Sequence, residues 1–183
     1  MFLIDSSSSV SSADHKKEKD FVASLAKNLN FGSGKTRVAV ILYSDYARQA
    51  IRFDVVNNPE SLQSVLDGLQ QLRGGRRIDR ALTSATQMFR VSRPDVRHIL
   101  VLLTSGEHTS DLINPFEIAV QQLKTLNVER FVVAIGKEPN RQHLKPIVER
   151  HDDVIYVPTF DSLKSQILRI AEHISKGRDF FLW

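Results

Sequence analysis

The sequence contains no cysteine. That excludes a disulfide scaffold, a Cys-based zinc site and thiol catalysis, and by itself leaves the compartment open. No apolar run approaches the ~20 residues needed to span a bilayer, so membrane insertion is not expected. Met1-Phe2-Leu3-Ile4 is apolar but too short for a signal peptide, and no basic segment precedes it. Neither G-x-G-x-x-G nor G-x-x-x-x-G-K-[S/T] occurs, which argues against a nucleotide site. The six histidines (His15, His98, His108, His143, His151 and His173) show neither H-E-x-x-H nor another ligand spacing. There is no Gly-X-Y period, no internal repeat and no low-complexity tract. Charge of one sign is also scarce. The 25 basic residues face 21 acidic ones, a formal +4, which permits a polyanionic partner without demanding one. Basic clusters lack interleaved aromatics, so nucleic acid is not an expected partner.

What remains is an ordinary globular composition. The chain has 183 residues, of which 42% are hydrophobic and 25% charged. That length suits one domain, and burying roughly 70% of the unfolded surface gives it a core without staples. The domain is expected over residues 1–176, with 177–183 as a tail or linker. The chain opens inside an apolar run, so the sequence reads as cut, or as becoming ordered, at the start of a first strand.

Strands and helices then alternate. Phe2–Ile4, Arg37–Tyr43, Val96–Thr104 and Arg130–Ile135 are nearly continuous apolar runs, the pattern of strands covered on both faces. Gln49–Val55 alternates, with Ile51, Phe53 and Val55 on one side. It reads as an edge strand, antiparallel to its predecessor because the connection is short. Val154–Val157 is a last strand. Helical spacing marks segments after Ser11 or Ser12 (Phe21, Val22, Leu25, Ala26, Leu29), after Pro59, near Ile78, near Pro115, over Asn140–Arg150 with Pro146 shortening it, and over Phe160–Lys176. Gly32 and Gly34 are expected to stop the first helix, and Gly177 to cap the last. This is an open α/β sheet with helices on both faces. Ligands in such sheets sit at the carboxyl ends of the strands, where the strand order reverses.

At the first such end stands Asp5-Ser6-Ser7-Ser8-Ser9, a D-x-S-x-S pattern. One carboxylate and two hydroxyls are hard oxygen ligands, suited to Mg²⁺ or a similar ion. Alone, the pattern equally describes a helix-capping loop. It is accompanied by R-V-A-V-I-L-Y-S, Gly74-Gly75 with I-D-R-A-L, H-I-L-V-L-L-T-S-G and F-V-V-A-I-G. In order and spacing these blocks resemble the von Willebrand factor type A domain over residues 1–176, and look most like the A domains of type VI collagen. The resemblance implies a doubly wound, mostly parallel six-stranded sheet, order 3-2-1-4-5-6 with strand three antiparallel. It also implies a metal-ion-dependent adhesion site built from D-x-S-x-S (Asp5, Ser7, Ser9), a Thr after Gly-Gly, and an Asp in Thr-Asp-Gly. Here Arg76 stands at the Thr position and Ser105 at the Asp position, in Thr104-Ser105-Gly106.

Two ligands are thus replaced. One carboxylate balances half of a divalent charge, and Arg76 adds a positive charge beside it. Two opposite charges 4 Å apart attract by roughly 4 kcal/mol at an effective dielectric of 20, before desolvation. The expectation is that Arg76, rather than Arg77, reaches Asp5 as an ion substitute with its forked donors, while Asp79 and Glu107 compete for it. Arg76→Ala is then expected to cost about 1–3 kcal/mol. No tightly bound divalent cation and no other cofactor is expected. The implied function is a non-enzymatic, secreted extracellular-matrix module for filament assembly and adhesion. Its expected partners are matrix proteins or neighbouring A domains. The alternative is a metal-dependent ligand-binding A domain of an adhesion receptor. Arg73, Arg76, Arg77 and Arg80 form a basic cluster that suits a glycosaminoglycan; Arg90, Arg93 and Arg97 form another. Ser105, His108 and Asp111 have the residue types of a hydrolase triad but lie on one loop without G-x-S-x-G, so an enzyme is not expected.

Overall fold

The computed structural model describes residues 1–29, 31, 36–109, 114–137 and 139–176. Six strands form one sheet in the order β3-β2-β1-β4-β5-β6. They are β1 (Phe2–Asp5), β2 (Val40–Tyr43), β3 (Ala47–Ile51), β4 (His98–Thr104), β5 (Val128–Ile135) and β6 (Val154–Val157). Every pairing is parallel except β2 with β3. The helices are α1 (Ser12–Asn28), α2 (Pro59–Gly68), α3 (Ile78–Arg90), α4 (Asn114–Lys124), α5 (Arg141–Leu144) and α6 (Leu163–Ser175).

The apolar strands carry both faces of the sheet. Phe2, Ile4, Val40, Leu42, Val101, Leu103, Phe131 and Val133 pack under α1, α2 and α6. Leu3, Ile41, Tyr43, Leu100, Leu102, Val132 and Ala134 pack under α3, α4 and α5. Alternate residues of one strand therefore serve opposite cores, which explains why these runs are continuous rather than alternating.

Local chemistry sets the helix starts. The Ser11 hydroxyl accepts from Asp14 N at 3.1 Å, so Ser11 rather than Ser12 caps α1. Asn58 caps α2 ahead of Pro59, accepting from Ser61 N at 2.8 Å. Over 140–150, only Arg141–Leu144 is α-helical, and a 3₁₀ turn at Lys145–Ile147 takes over at Pro146. The strand expected over 49–55 ends early. After Ile51 the chain turns, with Val55 N donating to Arg52 O at 3.2 Å. Ile51 enters one core, Phe53 packs against the other, and Val55 is exposed. The three do not share a face, because a turn breaks the two-residue period. The glycine stops at 32, 34 and 177 and the tail 177–183 lie outside the described residues.

Candidate functional site

The strand order reverses between β1 and β4, and Asp5 ends β1 at that crevice. The ladder continues past it, with Ser6 N donating to Tyr43 O at 2.8 Å. The chain then crosses to α1 through Ser7–Ser9.

A second segment, 71–77, is stitched onto that loop. Leu72 N donates to Ser6 Oγ, Gly74 N to Ser8 Oγ and Ser8 N to Gly74 O, each at 2.8 Å. Gln71 Nε2 donates to Ser7 O and Val10 O at 2.9 and 2.8 Å. Two consecutive left-handed residues, Arg73 at φ 66° and Gly74 at φ 92°, make the turn. A Cβ at Gly74 would also collide with the Asp45 carboxylate, whose Oδ1 accepts from Gly75 N at 2.8 Å. A third segment, after β4, grips Arg76 by its backbone. Arg76 N donates to Thr109 Oγ1 at 2.6 Å, and Thr109 N returns to Arg76 O at 2.9 Å.

Held this way, the Arg76 side chain enters the crevice. Its Nε donates to Asp5 Oδ2 at 2.7 Å, and its Nη2 donates to Ser105 Oγ at 2.9 Å. The Ser105 hydroxyl passes its own hydrogen to Asp5 Oδ2 at 3.1 Å, closing a three-membered ring. Asp5 Oδ1 accepts from Ser7 N at 3.1 Å. Asp5 is 0% exposed and Arg76 7%, so this is a buried, hydrogen-bonded ion pair. Gly106 makes the space, since a Cβ there would run into the Arg76 guanidinium.

The expected competitors are engaged elsewhere. Arg77 holds Asp79 through Nε and Nη2 at 2.8 and 2.6 Å. Burial pushes the Asp79 carboxyl up, but Arg77 and His108 outweigh it and hold the group below the usual carboxylate range. The Glu107 carboxylate meets His143 at 3.2 Å, and only its carbonyl lies near Arg76, 3.4 Å from Nη1. Ser7 and Ser9 do not offer their hydroxyls to Asp5. Their Oγ atoms lie 3.3 Å from each other, and Ser7 reaches the carboxylate only through its amide. The donors form no fork on the carboxylate either, because Ser105 takes the second prong.

The basic cluster divides. Arg76 is buried and spent on Asp5, so it is removed from any polyanion surface. Arg77 is held by Asp79, and exposed Arg73 donates to Ser12 Oγ at 2.9 Å. Arg80 is exposed on α3. The triad residue types do not assemble. Ser105 serves Asp5 and Arg76; His108 Nδ1 accepts from Ile78 N at 3.1 Å and its ring stacks on Phe116; Asp111 lies outside the described residues. A cavity of about 820 Å³ sits at the opposite end of the sheet, between Phe53, Phe89 and Val96, and no residue of the Asp5 ring lines it.

Beneath Asp5 lies a feature the sequence reading missed. His15 and Glu18 of α1 are buried, with His15 Nδ1 3.2 Å from Asp5 O and 3.5 Å from Glu18 Oε2. Both Glu18 oxygens and His15 Nε2 lack hydrogen-bond partners among the described residues. Burial first, and the Asp5 charge second, push the Glu18 carboxyl well above its ordinary value, which favours the neutral acid. Burial likewise lowers His15.

A crevice carboxylate at the end of the first parallel strand, followed by x-S-x-S and faced by the Gly-Gly loop, matches one family. Its model, the von Willebrand factor type A domain, covers residues 1–169. The chain belongs to that family. Relatives of this A domain include mouse integrin alpha-X, 30% identical over 184 residues, 95% of this chain and 16% of that protein. Mouse collagen alpha-5(VI) is 29% identical over 168 residues, 90% of this chain and 6% of that protein. The chain therefore spans a small part of the relatives it matches. Among solved structures, proximal thread matrix protein 1 of the mussel byssus superposes with a TM-score of 0.85 at 20% identity, over 93% of this chain and 46% of that one. The sheet order and the single antiparallel strand are those of the resemblance. The sequence blocks raise the expectation of an alpha-3 chain of type VI collagen; the similarity found is to type VI collagen chains such as alpha-5. These relatives are matrix and adhesion proteins, and the localisation they carry for this domain is extracellular.

Proposed function

We propose that this A domain is a non-enzymatic extracellular-matrix interaction module that works without a metal ion. The carrying observation is the buried Arg76–Asp5 pair at 2.7 Å, closed by Ser105. The family's adhesion site needs oxygen ligands converging on a cation. Here the single carboxylate of the set is taken by a guanidinium, and the Asp that would be the second is Ser105. A cation entering beside Asp5 would meet the Arg76 charge and would have to displace a satisfied buried ion pair. The residues present do not fit the ion, so recognition is assigned to the domain's surfaces: contacts with matrix proteins or with neighbouring A domains, in filament assembly and adhesion of the type VI collagen kind.

Solid-phase binding to a panel of collagens and matrix glycoproteins, run in Mg²⁺ and in EDTA, tests this reading. The expected result is equal binding in both. A second reading, a metal-dependent A domain, is favoured by the retained Asp5, Ser7 and Ser9, and in one crystal structure of the mussel protein the corresponding motif is occupied by zinc. Loss of binding in EDTA would select it.

A further inference from the structure

We infer that the cavity at the amino ends of the strands is the docking site of the chain's own last segment, residues 177–183, through its apolar run Phe180-Phe181-Leu182-Trp183. The cavity measures about 820 Å³, within the roughly 300–1,000 Å³ of sites that enclose a bound group. Its walls come from both cores. Leu29 at the end of α1 and Ile99 at the start of β4 belong to one, and Met88 and Phe89 at the end of α3 to the other.

This end of the sheet is open where the other is sealed. At the crevice Asp5, Ser44 and Thr104 are all 0% exposed. At the cavity Leu29, Phe53, Val96 and Ile99 are only half-buried, and Val91, at 87%, is the most exposed large apolar side chain among the described residues. Scattered exposed apolar residues are ordinary, but these border one cavity and together form a patch that a cover would bury. The chain supplies that cover from the right place. Helix α6 ends at Ser175, which itself lines the cavity, and Arg97 Nη2 donates to Ile174 O at 2.6 Å, pinning the helix end beside the start of β4. Gly177 follows, the residue type that turns a chain out of a helix. Counted from Lys176, the apolar run begins at the fourth residue and ends at the seventh, a reach of about 13–25 Å. The run is also costly to leave in water, since Phe and Trp each offer roughly 150–250 Å² for burial. Docked there, the segment fixes the direction in which the chain leaves the domain, at the end opposite the Asp5 crevice.

Trp183 is the sole tryptophan, so its fluorescence reads the segment directly in the intact chain. Its emission should be blue-shifted, and its quenching by acrylamide several-fold slower, relative to a free peptide of residues 177–183. Val91→Asp/Val96→Asp, which charges the cavity rim, should return both readings toward the peptide's with the far-UV CD spectrum kept. Val91 is exposed, so Val91→Asp alone keeps the fold and should show part of the same shift. Phe180→Ser/Phe181→Ser, a change confined to the segment, should raise binding of the hydrophobic dye ANS several-fold by uncovering the cavity. Ile118→Asp, at an exposed position of α4 away from the cavity, should alter neither reading. Emission and quenching equal to the free peptide's would overturn the inference, and so would unchanged ANS binding. Protection that survives both cavity variants would place the segment elsewhere. Protection that is lost on dilution, with a dimer seen by light scattering, would make a second copy the host and equally overturn it.

Discussion

Replacing Arg76 with alanine would strand the Asp5 carboxylate. The magnitude follows from burial. Asp5 is 0% exposed, and its partner's Nε is 2.7 Å away. At that burial the cost of removing one member of an ion pair is about 3–5 kcal/mol. Asp5 would keep Ser7 N, at 3.1 Å, and the Ser105 hydroxyl, also at 3.1 Å, which places the expected loss at the lower end, about 3 kcal/mol. For a domain of this size that is roughly a 6–12 °C fall in Tm. Asp5→Asn alone strands the guanidinium and should cost a similar amount. The double variant Asp5→Asn/Arg76→Ala buries no charge, so it should be clearly more stable than the sum of the two losses implies. Chemical denaturation of all four proteins gives the coupling energy, expected at about 2 kcal/mol. Additivity within about 0.5 kcal/mol would refute the argument that the two charges satisfy each other.

Gly106→Ala should destabilise the parent domain, because the new methyl runs into the Arg76 guanidinium, and should cost little in the Arg76→Ala background; equal costs in both, read by denaturant midpoint, would contradict the proposed crowding. Glu18→Gln should raise stability increasingly with pH. The folded carboxyl titrates well above its unfolded value near 4.5, so the parent's relative stability is fully present below pH 4.5 and is lost at about 1.4 kcal/mol per unit as pH rises toward the folded value. Calorimetric Tm values at pH 5 and pH 8 should diverge between parent and variant, and parallel curves would mean that Glu18 is ionised in the fold. His15→Phe should act on the other flank. Burial lowers the folded His15, so the parent loses stability as pH falls below 6.5, and the variant should lose less.

The sheet was legible because its signal is collective. Continuous apolar runs at Ile99–Leu103 and Phe131–Ile135 have one consistent reading, a strand buried on both faces, and β4 and β5 lie there. The strand expected over 49–55 was misplaced because the alternation of Ile51, Phe53 and Val55 continues through a turn that no glycine or proline marks. The meeting of Arg76 with Asp5 could be argued only once the family resemblance had put Arg76 and Ser105 at ligand positions; charge balance between a lost ligand and a gained cation then left one economical arrangement. The part played by Ser105 could not. Treating it as a missing carboxylate hid the fact that a hydroxyl both donates and accepts, and so can join Asp5 to Arg76. The Glu18–His15 pair did carry a signal. His15, Glu18, Val22, Leu25 and Leu29 repeat at three- and four-residue spacing, so the buried stripe of α1 extends back into polar residues. Residue type masked the pattern, because His and Glu are assigned to the solvent face by default.

The most direct test of the central claim is calorimetric titration of the domain with Mg²⁺ and Mn²⁺, beside Arg76→Thr/Ser105→Asp. In the parent Asp5 is paired with a guanidinium; in the variant the oxygen ligands of the family pattern are restored around it. The account predicts no binding by the parent at physiological Mg²⁺ and a measurable site in the variant. Micromolar Mg²⁺ binding by the parent, abolished by Asp5→Asn, would contradict it.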